Sequence, residues 1–243
     1  MIAPNDRILI GLSGGKDSSF LTYALSCLRE SKAVNFEIGA ATIDLGLSTE
    51  PIAMNPLREY CSTLGLLHYD KRIDAGTYIL DSKYTSPCAK CAHLRRGALV
   101  SLAKQEGYNK IAYAHHLDDA AETFLMNIMF SGKIATFQPS TTLDRNDVQI
   151  IRPLCYFREK EIISLLHLVP FTPLPSNCPL DKCTTRQTTK ALLAELEGRA
   201  PNIFGNITAC MRHKDPLALW PPPLSSEELR PMFQSLMDPC REQ

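Results

Sequence analysis

Three groups of residues in this chain have types and spacings suited to chemistry. The first is Ser13-Gly14-Gly15-Lys16-Asp17-Ser18, which lies between an apolar run at 7–12 and an amphipathic stretch beginning at residue 18. A strand, a glycine-rich turn and a helix N-terminus together make a phosphate site. The glycines let backbone N–H groups approach an anion, and the helix dipole favours negative charge there. Lys16 adds a point charge, and Ser13 and Ser18 add hydroxyl donors. A Walker A loop is excluded. That motif needs four residues between its first Gly and its Gly-Lys pair, whereas Gly11 and Gly15 enclose three, and Asp17 stands where a magnesium-binding hydroxyl would be.

The second group is Ala114-His115-His116-Leu117-Asp118-Asp119-Ala120-Ala121-Glu122-Thr123, again between a strand-like and a helix-like run. Two imidazoles beside two carboxylates suit proton transfer and metal or phosphate binding. Helix capping by Asp118 or Asp119, with Glu122 in the first turn, is the structural alternative and is compatible with catalysis. The third group is sulfur: Cys88-Ala89-Lys90-Cys91 just before a helical pattern, and Cys178 and Cys183 far downstream. Spacing leaves three chemistries open. These are a tetrahedral zinc site of four thiolates, an iron–sulfur cluster on three, and a redox dithiol activated near a helix N-terminus. Cys27, Cys61, Cys155, Cys210 and Cys240 read as core or surface thiols.

The elements that must position these groups follow an α/β alternation. Strands are predicted at 7–12, 37–44, 67–70, 110–114 and 148–151, and helices at 18–30, 55–64, 92–106, 118–131, 158–167 and 185–198. This pattern predicts a doubly wound parallel sheet with helices on both faces, and ligands beyond the carboxyl ends of its strands. The loop after strand one, Asp44 after strand two and His115-His116 after strand four all fall at those ends. Asp44 is placed to meet adenine or ribose, with a plain turn before Gly46 as its alternative. The predicted domains are a nucleotide-binding catalytic domain at 1–170 and a helical C-terminal appendage at 171–243. The appendage would hold a helix from Ser225 to Met237 and serve packing or homodimerisation.

Composition sets the background. The 243 residues include 26 basic and 26 acidic side chains, so net charge offers no general attraction to nucleic acid. Basic patches are local: Arg95-Arg96, and Lys182 with Arg186 and Lys190. Each of these also reads as a solvated helix face. Nine cysteines without a secretory leader point to metal or redox chemistry rather than disulfides. No apolar run is long enough to span a bilayer, so a soluble cytoplasmic enzyme is expected.

The hexapeptide at 13–18 resembles the SGGxDS loop of the PP-loop ATP-pyrophosphatase superfamily. The Cys88–Gly97 run resembles the C-x-x-C-x-x-x-R-R segment of tRNA 2-thiolation enzymes of the TtcA/TtuA type, and Ala114–Thr123 resembles their (G/A)HHxDDxxET block. Gly132-Lys133, Ile151-Arg152-Pro153-Leu154 and Arg158-Glu159-Lys160-Glu161-Ile162 follow in the family's order, so the resemblance covers about residues 7–190. It implies an adenine nucleotide alpha hydrolase-like fold, ATP cleaved to pyrophosphate, and a pyrimidine carbonyl adenylated and then thiolated. ATP would be held by Ser13, Gly14, Gly15, Lys16, Asp17, Ser18, Asp44 and His115. Mg2+ would be held with help from Asp17 or Asp119. Lys16, His116, Asp119 and Lys133 would act in catalysis, with Lys133 also readable as a helix C-terminal cation. A [4Fe–4S] cluster would sit on Cys88, Cys91 and Cys178, with Cys183 the runner-up for third ligand or a spare thiol that carries sulfur. The implied partners are tRNA and a sulfide or persulfide donor. No C-x-x-C precedes Cys88, and Cys210 and Cys240 stand apart, so the zinc modules of TtuA-type members are not expected. Rival readings are a desulfidase or thiolase for a free thio-base and a zinc-stabilised nucleotide-binding module without turnover.

Overall fold

The structure, a computed structural model, describes residues 1–48, 52–81, 87–143, 148–175, 178, 185–212, 227 and 230–231. Its centre is β1 (Arg7–Gly11), whose Ile8, Leu9 and Ile10 are wholly buried. Consecutive apolar residues of this kind suit a strand covered on both faces, where each such side chain contributes about 1.5–3 kcal/mol. β1 pairs in parallel with β2 (Glu37–Asp44) on one side and β4 (Lys110–Ala112) on the other. β3 (Leu67–Arg72) extends the β2 side. β6 (Val148–Ile151) and an antiparallel edge strand, β5 (Ser140–Leu143), extend the other, giving the order β3-β2-β1-β4-β6-β5.

Helices cover both faces. On one, α1 (Lys16–Glu30), α2 (Met54–Thr63) and α6 (Glu159–Leu165, with a 3-10 turn at Leu166–Leu168) pack Phe20, Leu21, Leu57 and Ile162 over Ile8 and Ile10. On the other, α3 (Gly76–Leu80) and α4 (Pro87–Gln105) pack Ile79, Leu99 and Ala103 over Leu9 and Ile111. α5 (Leu117–Ser131), α7 (Thr185–Arg199) and α8 (Ile203–Met211) meet in a third cluster around Ala121, Phe124, Leu193 and Phe204. The chain first builds outward from β1 through β2 and β3, then returns to place β4 on the opposite side. The carboxyl ends of β1 and β4 therefore flank the crevice where an α/β sheet binds ligands.

The five predicted strands are present, and β5, short and polar, lacked a periodic signal. β4 stops at Ala112, two residues earlier than predicted. α4 starts at Pro87 rather than near 92, because proline at the first helical position needs no N–H partner and has a helix-ready φ. Cys88 and Cys91 thus lie within the first turns of α4, not before it. Residues after 170 continue into the same compact unit as far as Met211, since α7 and α8 bury apolar side chains against α5; Arg212–Gln243 form a second unit. The helix expected at 225–237 falls almost entirely outside the described residues, as do Lys182 and Cys183. Among the described residues no helix is long and apolar enough to cross a membrane.

Candidate active site

The loop from β1 to α1 is tied together by its own short side chains. Ser18 Oγ accepts from the Ser13 N–H at 3.2 Å, lies 3.0 Å from Ser13 Oγ and donates to the Gly15 carbonyl at 3.0 Å. Gly14 has φ +85°, a conformation that non-glycine residues adopt at a cost. Its carbonyl accepts from Leu174 N–H at 2.9 Å. Among the described residues no side chain caps α1, which leaves its first N–H groups as an anion site at the crevice.

Lys16 forms ion pairs with Asp17 at 2.8 Å and with Glu159 at 2.9 Å, and Glu159 also binds Lys190 of α7 at 2.6 Å. Burial opposes the charges on Lys16 and Glu159, but these bonds outweigh it. The Lys16 ammonium is held above its usual range and Glu159 is pushed down to about 2. Arg186, also on α7, reaches Asp119 at 3.1 Å and Glu122 at 3.3 Å. Burial and the neighbouring Asp119 charge outweigh Arg186 at Glu122, whose carboxyl rises to about 7.

His116 caps α5. Its Nδ1 accepts from the Asp119 N–H at 3.3 Å, and its own N–H bonds Asp119 Oδ2 at 3.0 Å. An accepting Nδ1 leaves the neutral ring's proton on Nε2, which lies 3.9 Å from Asp17 Oδ1. Asp118 is occupied by Arg158 and by the Glu159 N–H, and so fastens α5 to α6. His115 is pushed down to about 4, chiefly by burial, and is neutral at physiological pH. Its buried Nδ1 has no hydrogen-bond partner among the described residues, and its ring packs against Tyr113 and Phe137.

These elements enclose a cavity of about 330 Å³ at the β1–β4 crevice. Ser13, Gly15, Asp17 and Ser18 line it from the loop, Ala41, Ile43 and Ile52 from the β2 side, and Tyr113, Ala114, His115 and Asp119 from the β4 side. Arg95 and Leu99 of α4 complete the wall. The α4 face that carries Leu99 and Arg95 continues to Cys91 and Cys88, because residues three or four apart share a helix face. Burial pushes the Cys91 thiol up. Arg95 works against that shift, while Cys178 and Cys88 add to it, so all three are within electrostatic reach of Cys91. Cys91 and Cys178, 87 residues apart in sequence, thus come within electrostatic reach of each other in the fold.

The other expected residues divide. Asp44 is buried with Oδ1 accepting from the Gly46 N–H at 3.0 Å, the turn bond named as its alternative, and it is not part of the cavity wall. Lys133 is exposed, and its backbone bonds Asn127, about three turns down α5 from His116. The structure does not bring it to His116 and Asp119. Arg186 and Lys190 are exposed but ion-paired with Asp119, Glu122 and Glu159. Sequence reasoning assigned no role to Glu159 or Phe137. Glu159 stood in a matched run, as an acidic residue at a helix start, which was its only signal.

The PP-loop domain family model matches residues 2–176. The tRNA-cytidine(32) 2-sulfurtransferase of Geobacter sulfurreducens is 34% identical over 222 residues, covering 89% of this chain and 85% of that protein. Its counterpart in Ralstonia pickettii is 35% identical over 221 residues, covering 89% and 69%. Among solved structures, the U34-tRNA thiolase NcsA of Methanococcus maripaludis, determined with its [4Fe–4S] cluster, superposes with a TM-score of 0.65 at 22% identity, covering 88% and 74%; it supports the fold. The matched range contains the loop, the His-Asp cap and the crevice they share, and the chain belongs to the PP-loop family, with the tRNA-cytidine(32) 2-sulfurtransferases.

Proposed function

We propose that this chain is a tRNA 2-thiolation enzyme, which activates the C2 carbonyl of a cytidine with ATP and replaces its oxygen with sulfur. The observation that carries this reading is that one face of α4 joins the thiols of Cys88 and Cys91 to the phosphate cavity through Arg95 and Leu99. A phosphate site alone fits many ATP-dependent enzymes. A phosphate site beside three thiols fits activation followed by sulfur delivery. The relatives named for cytidine 2-thiolation support cytidine as the target.

In the first half-reaction the base's O2 attacks the α-phosphorus of ATP and pyrophosphate leaves. The loop N–H groups, Ser13 and Ser18 receive the phosphates, and Lys16 exchanges Glu159 for phosphate oxygens as charge develops. Asp17 and Asp119 face the same cavity and would hold Mg2+. His116 keeps Asp119 in place through the α5 cap. In the second half-reaction hydrosulfide attacks C2, AMP leaves with the original oxygen, and loss of the S–H proton leaves the 2-thio base.

Cys88, Cys91 and Cys178 form an all-sulfur, soft donor set. Among the described residues no three donors converge on a single ion. Zinc would draw its ligands to about 2.3 Å from one point, whereas a four-iron cube would take each thiolate on a separate iron. With three protein thiolates, such a cluster supplies one iron position open to a sulfur ligand. Sulfide supplies the sulfur at the right oxidation level, and a persulfide carrier would deliver it only with a second thiol that is oxidised to the disulfide as the S–S bond breaks, in the reducing cytoplasm where free thiols persist. Exposed Ile128, Phe130 and Ile134 at the end of α5 suit the expected homodimer, which sedimentation of the pure protein tests.

Nucleoside mass spectrometry of tRNA from a deletion strain tests the function. Loss of 2-thiocytidine, restored by the intact gene, is expected. Unchanged 2-thiocytidine removes the proposal and leaves a small-molecule thiolase or desulfidase.

A further inference from the structure

ATP brings about four negative charges into a cavity whose described wall has two carboxylates, Asp17 and Asp119, and one side chain of fixed positive charge, Arg95. Lys16 is tied to Asp17 and Glu159, and His115 is neutral. Arg95 makes no ion pair or hydrogen bond with a described residue. A guanidinium on the wall of a phosphate cavity, with no partner among the described residues, is matched to an anion that arrives with the ligand. Cys91, Arg95 and Leu99 stand at i, i+4 and i+8 on α4, so the cation lies between the thiols and the part of the cavity that Leu99 walls.

We propose that Arg95 is a phosphate-binding residue that links the two half-reactions. Its guanidinium takes the α-phosphate oxygens opposite the glycine loop, and it keeps the adenylated base with C2 towards the thiol end of α4. This rests on the function proposed above and differs from reading Arg95 as part of a local basic patch for nucleic acid or as a solvated helix face. The planar fork matters as well as the charge: two parallel N–H bonds to one phosphate orient it, which a lysine's point charge does not.

The test uses full-length, iron-free protein, so that cluster content does not enter, and calorimetry with α,β-methylene-ATP, adenosine and tRNA. Arg95→Gln is expected to weaken α,β-methylene-ATP binding by about 10–100-fold, the effect of losing a charge-assisted hydrogen bond. Arg95→Lys should recover part of that loss. Adenosine affinity, which involves no phosphate, should stay within about twofold in both variants, which also reports an intact fold. tRNA affinity at low salt should likewise change by less than about twofold. Unchanged α,β-methylene-ATP affinity in Arg95→Gln, with tRNA binding weakened, overturns the proposal and returns Arg95 to the tRNA backbone. Equal losses for adenosine and α,β-methylene-ATP overturn it in favour of a packing role. Failure of the unmutated protein to bind α,β-methylene-ATP overturns the functional reading along with it.

Discussion

The phosphate half and the thiol half of the site are built by different means. The phosphate half is one continuous hexapeptide held by bonds that span two to five residues, such as Ser18 Oγ to Gly15 O and Gly15 N–H to Ser13 Oγ at 3.4 Å. The thiol half joins the first turns of α4 to Cys178, and its assembly depends on how distant segments pack. Residues 171–174 provide part of that packing: Phe171 lies 4.7 Å from the Tyr60 ring, and Leu174 bonds the loop itself at Gly14. A locally determined half can tolerate loss of the other, while a half assembled by packing depends on the sheet and its helices. The two should therefore fail separately, and four experiments bear on that.

The largest effect is expected from Cys88→Ala, Cys91→Ala and Cys178→Ala. Each should abolish thiolation and iron binding, because a cluster with two protein thiolates is labile, yet leave α,β-methylene-ATP affinity within about twofold. Iron analysis and calorimetry on the same preparations check this. Full iron retention in Cys178→Ala, with loss in Cys183→Ala, would transfer the third ligand to Cys183. A matching loss of nucleotide affinity in the cysteine variants would show that the two halves are not separable.

Lys16→Ala comes next. Removal of one charge stabiliser from a phosphoryl-transfer site should lower the adenylation rate about 10²–10³-fold, while iron content stays unchanged. Pyrophosphate release measured with tRNA present reports it. A rate within threefold of the unmutated protein would place the charge stabilisation elsewhere in the cavity.

The third experiment uses two carboxylates that face α7 and shift in opposite directions. Glu159 is held near 2, below its ordinary 4.5, so its contribution to stability is present above about pH 4.5 and is lost as pH falls towards 2. Glu122 is raised to about 7, so its contribution is present below about pH 4.5 and is lost as pH rises through 7. Each amounts to the order of 3 kcal/mol at most. Glu159→Gln should flatten the acid limb of a melting-temperature profile, and Glu122→Gln the limb between pH 5 and 7. Identical profiles for the two variants would mean that α7 docks without regard to these charges.

The smallest effect, and the sharpest on the junction, is expected from Gly14→Ala. Its positive φ costs an alanine about 1–2 kcal/mol, and the new Cβ would lie 3.0 Å from the Leu174 side chain. Chemical denaturation should show that loss, with weakened nucleotide binding. Displacement of Leu174 should also lower iron retention slightly, which would make Gly14–Leu174 the point where the halves are coupled. Iron retention identical to the unmutated protein would confine the coupling to α4.

Much of the phosphate half was legible because its information is local. The Gly-Gly pair, the flanking apolar strand and the two serines five residues apart specify a turn and its bonds without a partner from afar. His116 and Asp119 were legible in the same way, as residues at i and i+3 on a helix start, although the sequence reading gave the cap to Asp118 or Asp119, whereas His116 is the N-cap and Asp119 bonds back to its N–H. Lys133 shows the limit. It falls in a matched motif, but fifteen residues of α5 carry it away from His116. Arg186 and Lys190 show another: their spacing reads as a basic face, and only the packing of α7 on α5 and α6 pairs them with Asp119, Glu122 and Glu159.

The sequence by itself determined the alternation of strand and helix, the phosphate loop and its place at a strand's carboxyl end. Each of these rests on periodicity or on hydrogen bonds between near neighbours, which any chain with those residues forms in the same way. Only the tertiary structure decided that Cys178 lies near Cys91, that Arg95 lines the cavity wall and that Lys16 shares Glu159 with Lys190. Those relations depend on which helix faces are buried together, and ionic and thiol contacts follow the packing of apolar surface rather than the order of residues along the chain.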